Sequence, residues 1–409
     1  MRVARRPRVV VLGSSFAGYT TALVLARATR RVDGPRITVV AATERFVLTP
    51  ALLRVPFCGG RLAHISFSVR RALTRAGVEA VFQPASRVDL ARRQVRLADG
   101  TTLTFDFLVV ATGARADPAW LARADGAVAA GAAVLLHDAP TALRARQLVR
   151  AILERPGPVV IGAAPGAGCF EAPYELAASL AQVLRERRLQ QRAPITFVTP
   201  EPYAGHFGLG VCGVSKGIAT SVFGALGVTF RGAAAIESVE PGAVVLADGE
   251  RLPCRYALLM PPFVGSELVT ASAGLGDGRG FVEVDDDGRH AAGVVSAAGA
   301  AVVPATLPTL LPCMALTPAY LSERMGEGVA HQLVAASGGK PDSRTDACRC
   351  ALCRCDPQVI EKHGVRAASS HLLSPAPRSQ WARTLFERQF IAARARGAIG
   401  HELGQMPLI

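Results

Sequence analysis

Two stretches about 150 residues apart repeat one plan of buried strand, glycine turn and helix, and that repetition limits the folds open to this chain. The first is RVVVLGSSFAGYTTALVLAR (8–27), where Gly13, Ser15 and Gly18 occupy the three glycine positions of a GxGxxG turn and Phe16 and Ala17 lie between them. The second opens at GPVVIGAAPGAG (157–168) and continues into a helix expected from about Ala172 to Arg188 and a strand APITFVT (193–199). Glycine in such a turn lets backbone amides approach a phosphate at the N-terminus of the following helix. Two such starts predict an α/β fold with two Rossmann-like dinucleotide-binding domains.

The rest of the chain fits that frame. ITVVAATERF (37–46) is the next strand of the first unit; it ends at Ala41, and Glu44 is a displaced candidate for the acid that holds an adenosine ribose. DFLVVATGA (106–114) is a buried strand ending in Ala111-Thr112-Gly113, a cluster typical of the exit from the first domain of a protein with two dinucleotide domains. LADG occurs at 97–100 and again at 246–249, closing a short hairpin in each unit. Residues from about 275 to 335 are expected to return to the first domain, and beyond Gly338 the chain turns polar, cysteine-rich and then basic and aromatic.

With 409 residues the chain has room for two or three domains and a large core. Its 46 Lys and Arg against 32 Asp and Glu give a formal charge of +14, which points to an anionic partner. No nucleic-acid motif or basic run interleaved with aromatics accompanies it, so a membrane surface or an anionic substrate is the better expectation. Arg5, Arg6 and Arg8 run straight into strand-like sequence, so no signal peptide is expected. Ala291 to Ser322 is uncharged and long enough to span a bilayer, but Pro304, Pro308, Pro312 and Pro318 interrupt it, and buried strand and loop is the reading. Nine cysteines without an export signal argue for redox chemistry or metal binding over a disulfide framework.

Cys169 stands inside the second glycine turn, in GAAPGAGCFEAPYE (162–175). A thiol near a helix N-terminus is biased toward thiolate, although a buried cysteine acting as a small hydrophobe accounts for the position equally well. CRCALCRC (348–355) packs Cys348, Cys350, Cys353 and Cys355 into eight positions, which is open to a redox thiol, a metal site or incidental cysteines. In the tail, 100° per residue puts Trp381, Leu385, Phe386 and Phe390 on one half of a helix and Arg383, Arg388 and Arg394 on the other. Such a helix suits a bilayer interface, or an ordinary packed position on the core.

These residues together resemble the sulfide:quinone oxidoreductases, in the family that also holds flavocytochrome c sulfide dehydrogenases and type II NADH dehydrogenases. The resemblance rests on VLGSSFAGYTTAL, RFVLTPALLRVPF (45–57), GAAPGAGCFEAPYELA (162–177), ITFVTPEPYAGHFGLG (195–210), AYLSERM (319–325) and WARTLFERQFIAARARG (381–397). It implies a glutathione-reductase-like fold: an FAD-binding domain at 1–125, a second Rossmann-like domain at 126–274, a return segment at 275–338, and a membrane-associating C-terminal region at 339–409. It also implies FAD held by Gly13, Ser15, Phe16, Ala17, Gly18, Glu44, Ala111, Thr112, Gly113, Gly299, Ala300 and Tyr320. The implied catalytic residues are Cys169, Cys353, His206 and Glu175, with quinone against Phe46, Phe386 and Phe390 and no metal. The expected activity is oxidation of sulfide to protein-bound sulfur with electrons passed to membrane quinone, by a peripheral protein of the cell membrane, with an oligomer possible. NADH:quinone oxidation, or binding of sulfur species or metal without turnover, are the other readings. The family pattern has a lysine where this chain has Thr317, and often a cysteine where it has Leu135, Leu136, His137 and Asp138.

Overall fold

The computed structural model describes residues 5–30, 34–57, 61–207, 214–285, 287–302, 319–337 and 377–399. Its frame is two five-stranded parallel sheets. In the first the order is Val295–Ala297, Phe107–Val110, Arg8–Leu12, Arg36–Val40, Glu79–Val81, with Arg8–Leu12 paired in parallel on both sides. In the second it is Ala133–Leu135, Tyr256–Met260, Val159–Ala163, Ile195–Val198, Val228–Arg231. The central strands VVVL and VVIGA read as unbroken apolar runs because both sheet faces are covered, and every residue of Val159–Ala163 is buried.

The pseudo-repetition extends to the connections. Each unit carries a three-stranded antiparallel meander, Ala85–Asp89, Gln94–Leu97, Thr102–Thr104 in one and Ile236–Glu240, Ala243–Leu246, Arg251–Pro253 in the other. Both slip register in the first strand, between Ala85 and Arg87 and between Ile236 and Ser238. Both close on LADG as expected: the Leu97 amide donates to Thr101 O at 2.8 Å, the Leu246 amide to Glu250 O at 2.9 Å, and Gly100 and Gly249 share φ = +88°.

Helix Phe16–Ala28, which follows the first turn, is covered by helix Ala319–Ala336. They approach closely because Gly326 has no side chain: a Cβ there would lie 2.4 Å from Ala17 O. The Thr21 hydroxyl donates to Gly326 O across the gap at 3.0 Å. Strand Val295–Ala297 is the buried strand expected within 291–322, and 303–318 lie outside the described residues.

The C-terminal helix, Pro377–Ala395, corrects one expectation. A helical wheel assigns Arg394 to the polar half, yet its side chain is fully buried and forks onto Glu323, Nε to Oε1 at 3.0 Å and Nη2 to Oε2 at 2.7 Å. The Tyr19 hydroxyl donates to Arg394 O at 2.5 Å, and the guanidinium sits over the Phe390 ring. Arg54 reaches the same helix, donating to Glu387 at 2.8 Å and Thr384 at 2.6 Å. The wheel fails because the partner carboxylate comes from another helix, which no local periodicity encodes. Leu385, assigned to the apolar half, is 41% exposed. Among the described residues no helix is long and apolar enough to cross a membrane.

Candidate active site

The first glycine turn is shaped by close backbone approach. Gly13 has φ = +110°, and a Cβ there would meet Ala111 O at 2.1 Å; at Gly18 it would meet Gly13 O at 2.1 Å. Ser15, the residue before helix Phe16–Ala28, is exposed and its side chain makes no capping bond, while Phe16 and Ala17 are buried beneath it. The helix N-terminus therefore has no side-chain cap on its first amides beside an exposed Ser15, an arrangement suited to a phosphate. Ala111-Thr112-Gly113 follows the adjacent strand; the Ala111 amide donates to Leu12 O at 2.8 Å, and the Thr112 hydroxyl is buried without a partner. Gly299 closes the far side with φ = +73°, its missing Cβ 3.1 Å from that of Ala17, and Ala300 follows in the same short turn. A cradle that side chains would fill, with an unsatisfied hydroxyl on its wall, fits a dinucleotide such as FAD.

Glu44, the displaced ribose candidate, is ion-paired with Arg70 at 2.9 Å. Tyr320 is placed only by the backbone of helix Ala319–Ala336. The three quinone candidates come together. Phe46 lies 6.3 Å from Phe390, and Phe390 6.4 Å from Phe386, in an aromatic group continued by Phe16, Tyr19 and Phe67. Phe46 and Phe390 are buried, and Phe386 is the partly exposed member.

The second turn is built differently. The Ala164 amide donates to Met260 O and the Phe263 amide to Gly166 O, so the segment after strand Tyr256–Met260 is tied across it. Ala167 bridges Pro262. Cys169 and buried Phe170 fill the space before helix Glu171–Glu186 begins. The Cys169 sulfhydryl donates to Glu171 Oε2 at 3.0 Å. The expected bias toward thiolate is overturned: burial first, then the Glu171 charge, push the thiol well above its ordinary range, outweighing the amides of Glu171 and Ala172. Glu171 itself is raised by burial. Glu175, the acid named from sequence, stands four residues further on in the same helix and is half-buried.

A buried carboxylate that sequence reasoning passed over lies beyond strand Ile195–Val198. Glu201 is fully buried; it accepts from the Thr199 hydroxyl at 2.8 Å, the Tyr174 hydroxyl at 3.1 Å and the Phe207 amide at 2.5 Å. Tyr174 in turn accepts from the Gly205 amide at 3.0 Å. Two amides flanking His206 are thus fixed, Phe207 being held at φ = +52°. Burial lifts Glu201 to about 7, with the Glu171 charge a minor contributor. His206 is buried, its Nδ1 lacks a partner, and burial lowers it, favouring the neutral ring. The signal available in sequence was the acid three residues after a buried strand, near the position that holds a ribose in an open Rossmann unit. Cys353 with its neighbours Cys348, Cys350 and Cys355, and also Thr317, lie outside the described residues.

Residues 7–197 match the pyridine nucleotide-disulphide oxidoreductase family. A sulfide-quinone reductase of Aquifex aeolicus (strain VF5) is 29% identical over 348 residues, 82% of this chain and 77% of that protein. An NADH dehydrogenase-like protein of Mycobacterium tuberculosis is 28% identical over 290 residues, 68% of each. The X-ray structure of the sulfide:quinone oxidoreductase of Aquifex aeolicus superposes with a TM-score of 0.80 at 23% identity, covering 98% of this chain and 94% of that one. The fold expected from the two glycine turns is the fold these comparisons share.

Proposed function

We propose that this chain, an oxidoreductase related to the sulfide-quinone reductases, oxidises sulfide to protein-bound sulfur through Cys169 and Cys353 and passes the electrons through FAD to a membrane quinone. The observation that carries this reading is a thiol seated in a plugged second glycine turn, hydrogen-bonded to a carboxylate. A hydrosulfide attacking an oxidised pair of cysteines breaks their S–S bond, leaving a persulfide on one and a thiolate on the other, so two thiols are the minimum. Neutral His206, with Nδ1 unpaired, is suited to take the proton that sulfide gives up. Gly13 to Gly18, Ala111 to Gly113 and Gly299-Ala300 would hold FAD, with the Thr112 hydroxyl finding its partner there. FAD bound in that cradle supplies the two-electron outlet that the thiols lack. Phe386, at the rim of the aromatic group, is the quinone contact. We place the first domain at 1–125 and 275–338, the second at 126–274, and a region that associates with the membrane at 339–409.

The resemblance to an NADH dehydrogenase-like protein raises NADH as the rival donor. Three features weigh against it. The second turn is tied shut by Met260 and Phe263, a carboxylate occupies the first turn of its helix, and the acid near the ribose position is committed to its own hydrogen bonds. Anaerobic titration of the yellow protein tests both: sulfide bleaching the flavin while NADH leaves it oxidised supports the proposal, and rapid bleaching by NADH replaces it.

A further inference from the structure

Cys169 carries its own carboxylate. Glu171 is the first residue of its helix, and its Oε2 accepts from the Cys169 sulfhydryl at 3.0 Å. We propose that Glu171 is the proton acceptor of Cys169 and hence a catalytic residue, taking the thiol proton in a step that precedes attack and leaves Cys169 as the thiolate nucleophile. One S–H bond breaks and one O–H bond forms. No electron leaves the pair, and its net charge stays at one negative.

That constancy of charge is the physical reason for the assignment. Burial penalises a thiolate and a carboxylate alike, and both groups are pushed up by it. A lone thiol in this partly buried position would have to create a charge where water has limited access. Within the pair the charge only moves from oxygen to sulfur, from the first residue of the helix to the residue just before its N-cap, and the N-terminal end of that helix favours a negative group. The nearby Glu201 is no competing acceptor, because Thr199, Tyr174 and the Phe207 amide already occupy it.

The assignment rests on Cys169 being the reacting thiol of the proposed function, but its test needs neither sulfide nor flavin. Alkylation by iodoacetamide of the reduced full chain at pH 7, followed by mass spectrometry on the peptide holding Cys169, separates an acceptor from a repelling neighbour. An acceptor predicts that Glu171→Gln reacts at least about tenfold more slowly than the unmodified chain, with Glu171→Asp in between. A neighbour that only repels the thiolate predicts the opposite, since removing its charge lowers the thiol, so an equal or faster rate in Glu171→Gln overturns the proposal. Buried Cys254 serves as the control for folding. Should Glu171→Gln expose Cys254, Glu171→Asp decides alone: slower than the unmodified chain supports the role, equal or faster ends it. Slowed alkylation together with a flavin that sulfide does not bleach leaves the Glu171 role standing and sinks the sulfide reading.

Discussion

The Arg394 guanidinium lies in two contacts with the Glu323 carboxylate, and neither side chain reaches solvent: one is 0% exposed and the other 5%. A buried pair of this kind adds little when compared with a well-packed apolar pair, but losing one partner leaves an uncompensated charge inside the protein.

Glu323→Ala should therefore destabilise the fold by about 3–5 kcal/mol, whereas Glu323→Leu with Arg394→Met should recover most of that loss. Urea denaturation of the three proteins measures it. Equal stability of the single and the double variant would show that the charge is relieved by water.

Gly13→Ala should abolish cofactor retention. The new Cβ would sit 2.1 Å from Ala111 O on a backbone with φ = +110°, so the turn itself must move. Flavin absorbance per mole of purified protein is the readout, and a fully yellow Gly13→Ala protein would refute the placement of FAD on this turn.

Glu201 gives stability a pH dependence of definite sign. Its carboxyl stands at about 7 in the folded chain against an ordinary value of 4.5, so the folded state holds a proton that the unfolded state has released between those values. The contribution is fully present below pH 4.5 and is lost as pH rises through about 7. Asp106, lowered to about 2 by Arg8 and Arg5, acts in the opposite sense at lower pH. Melting temperature from pH 5 to 8 should fall more steeply in the unmodified chain than in Glu201→Gln, and parallel curves would remove Glu201 as the cause.

Serine at Cys169 or at Cys353 should each abolish flavin reduction by sulfide while leaving the flavin bound; serine at Cys348, Cys350 or Cys355 should not. Retained reduction in Cys353→Ser, with loss in one of its neighbours, would move the second thiol to that neighbour. Release of a bound metal by all four single changes at 348–355 would make the cluster a metal site.

The frame of the molecule was legible because it is written locally. A continuous apolar strand, a glycine turn and the following helix stand within 20 residues at 8–27, and the second copy repeats them. The twin LADG turns are local as well. The site was legible only in part. Cys169 showed itself by being out of place in a glycine turn, but its hydrogen bond to Glu171 depends on how the chain leaves that turn and enters the helix, which the sequence pattern did not single out. Burial of Arg394 and the clamp of Glu201 on two amides depend on contacts between separate elements, which periodicity does not carry.

The two meanders share a register slip, a hairpin and a glycine angle, so the two units are built to one set of dimensions. They differ at the mouth of the turn, where one leaves Ser15 exposed and the other holds a thiol and a phenylalanine. A chain that carries its scaffold in duplicate can give one copy over to new chemistry while the other goes on holding the cofactor. In the second copy the departure from an open glycine turn is concentrated around 162–175, where Cys169 and Phe170 precede the helix and Glu171 begins it.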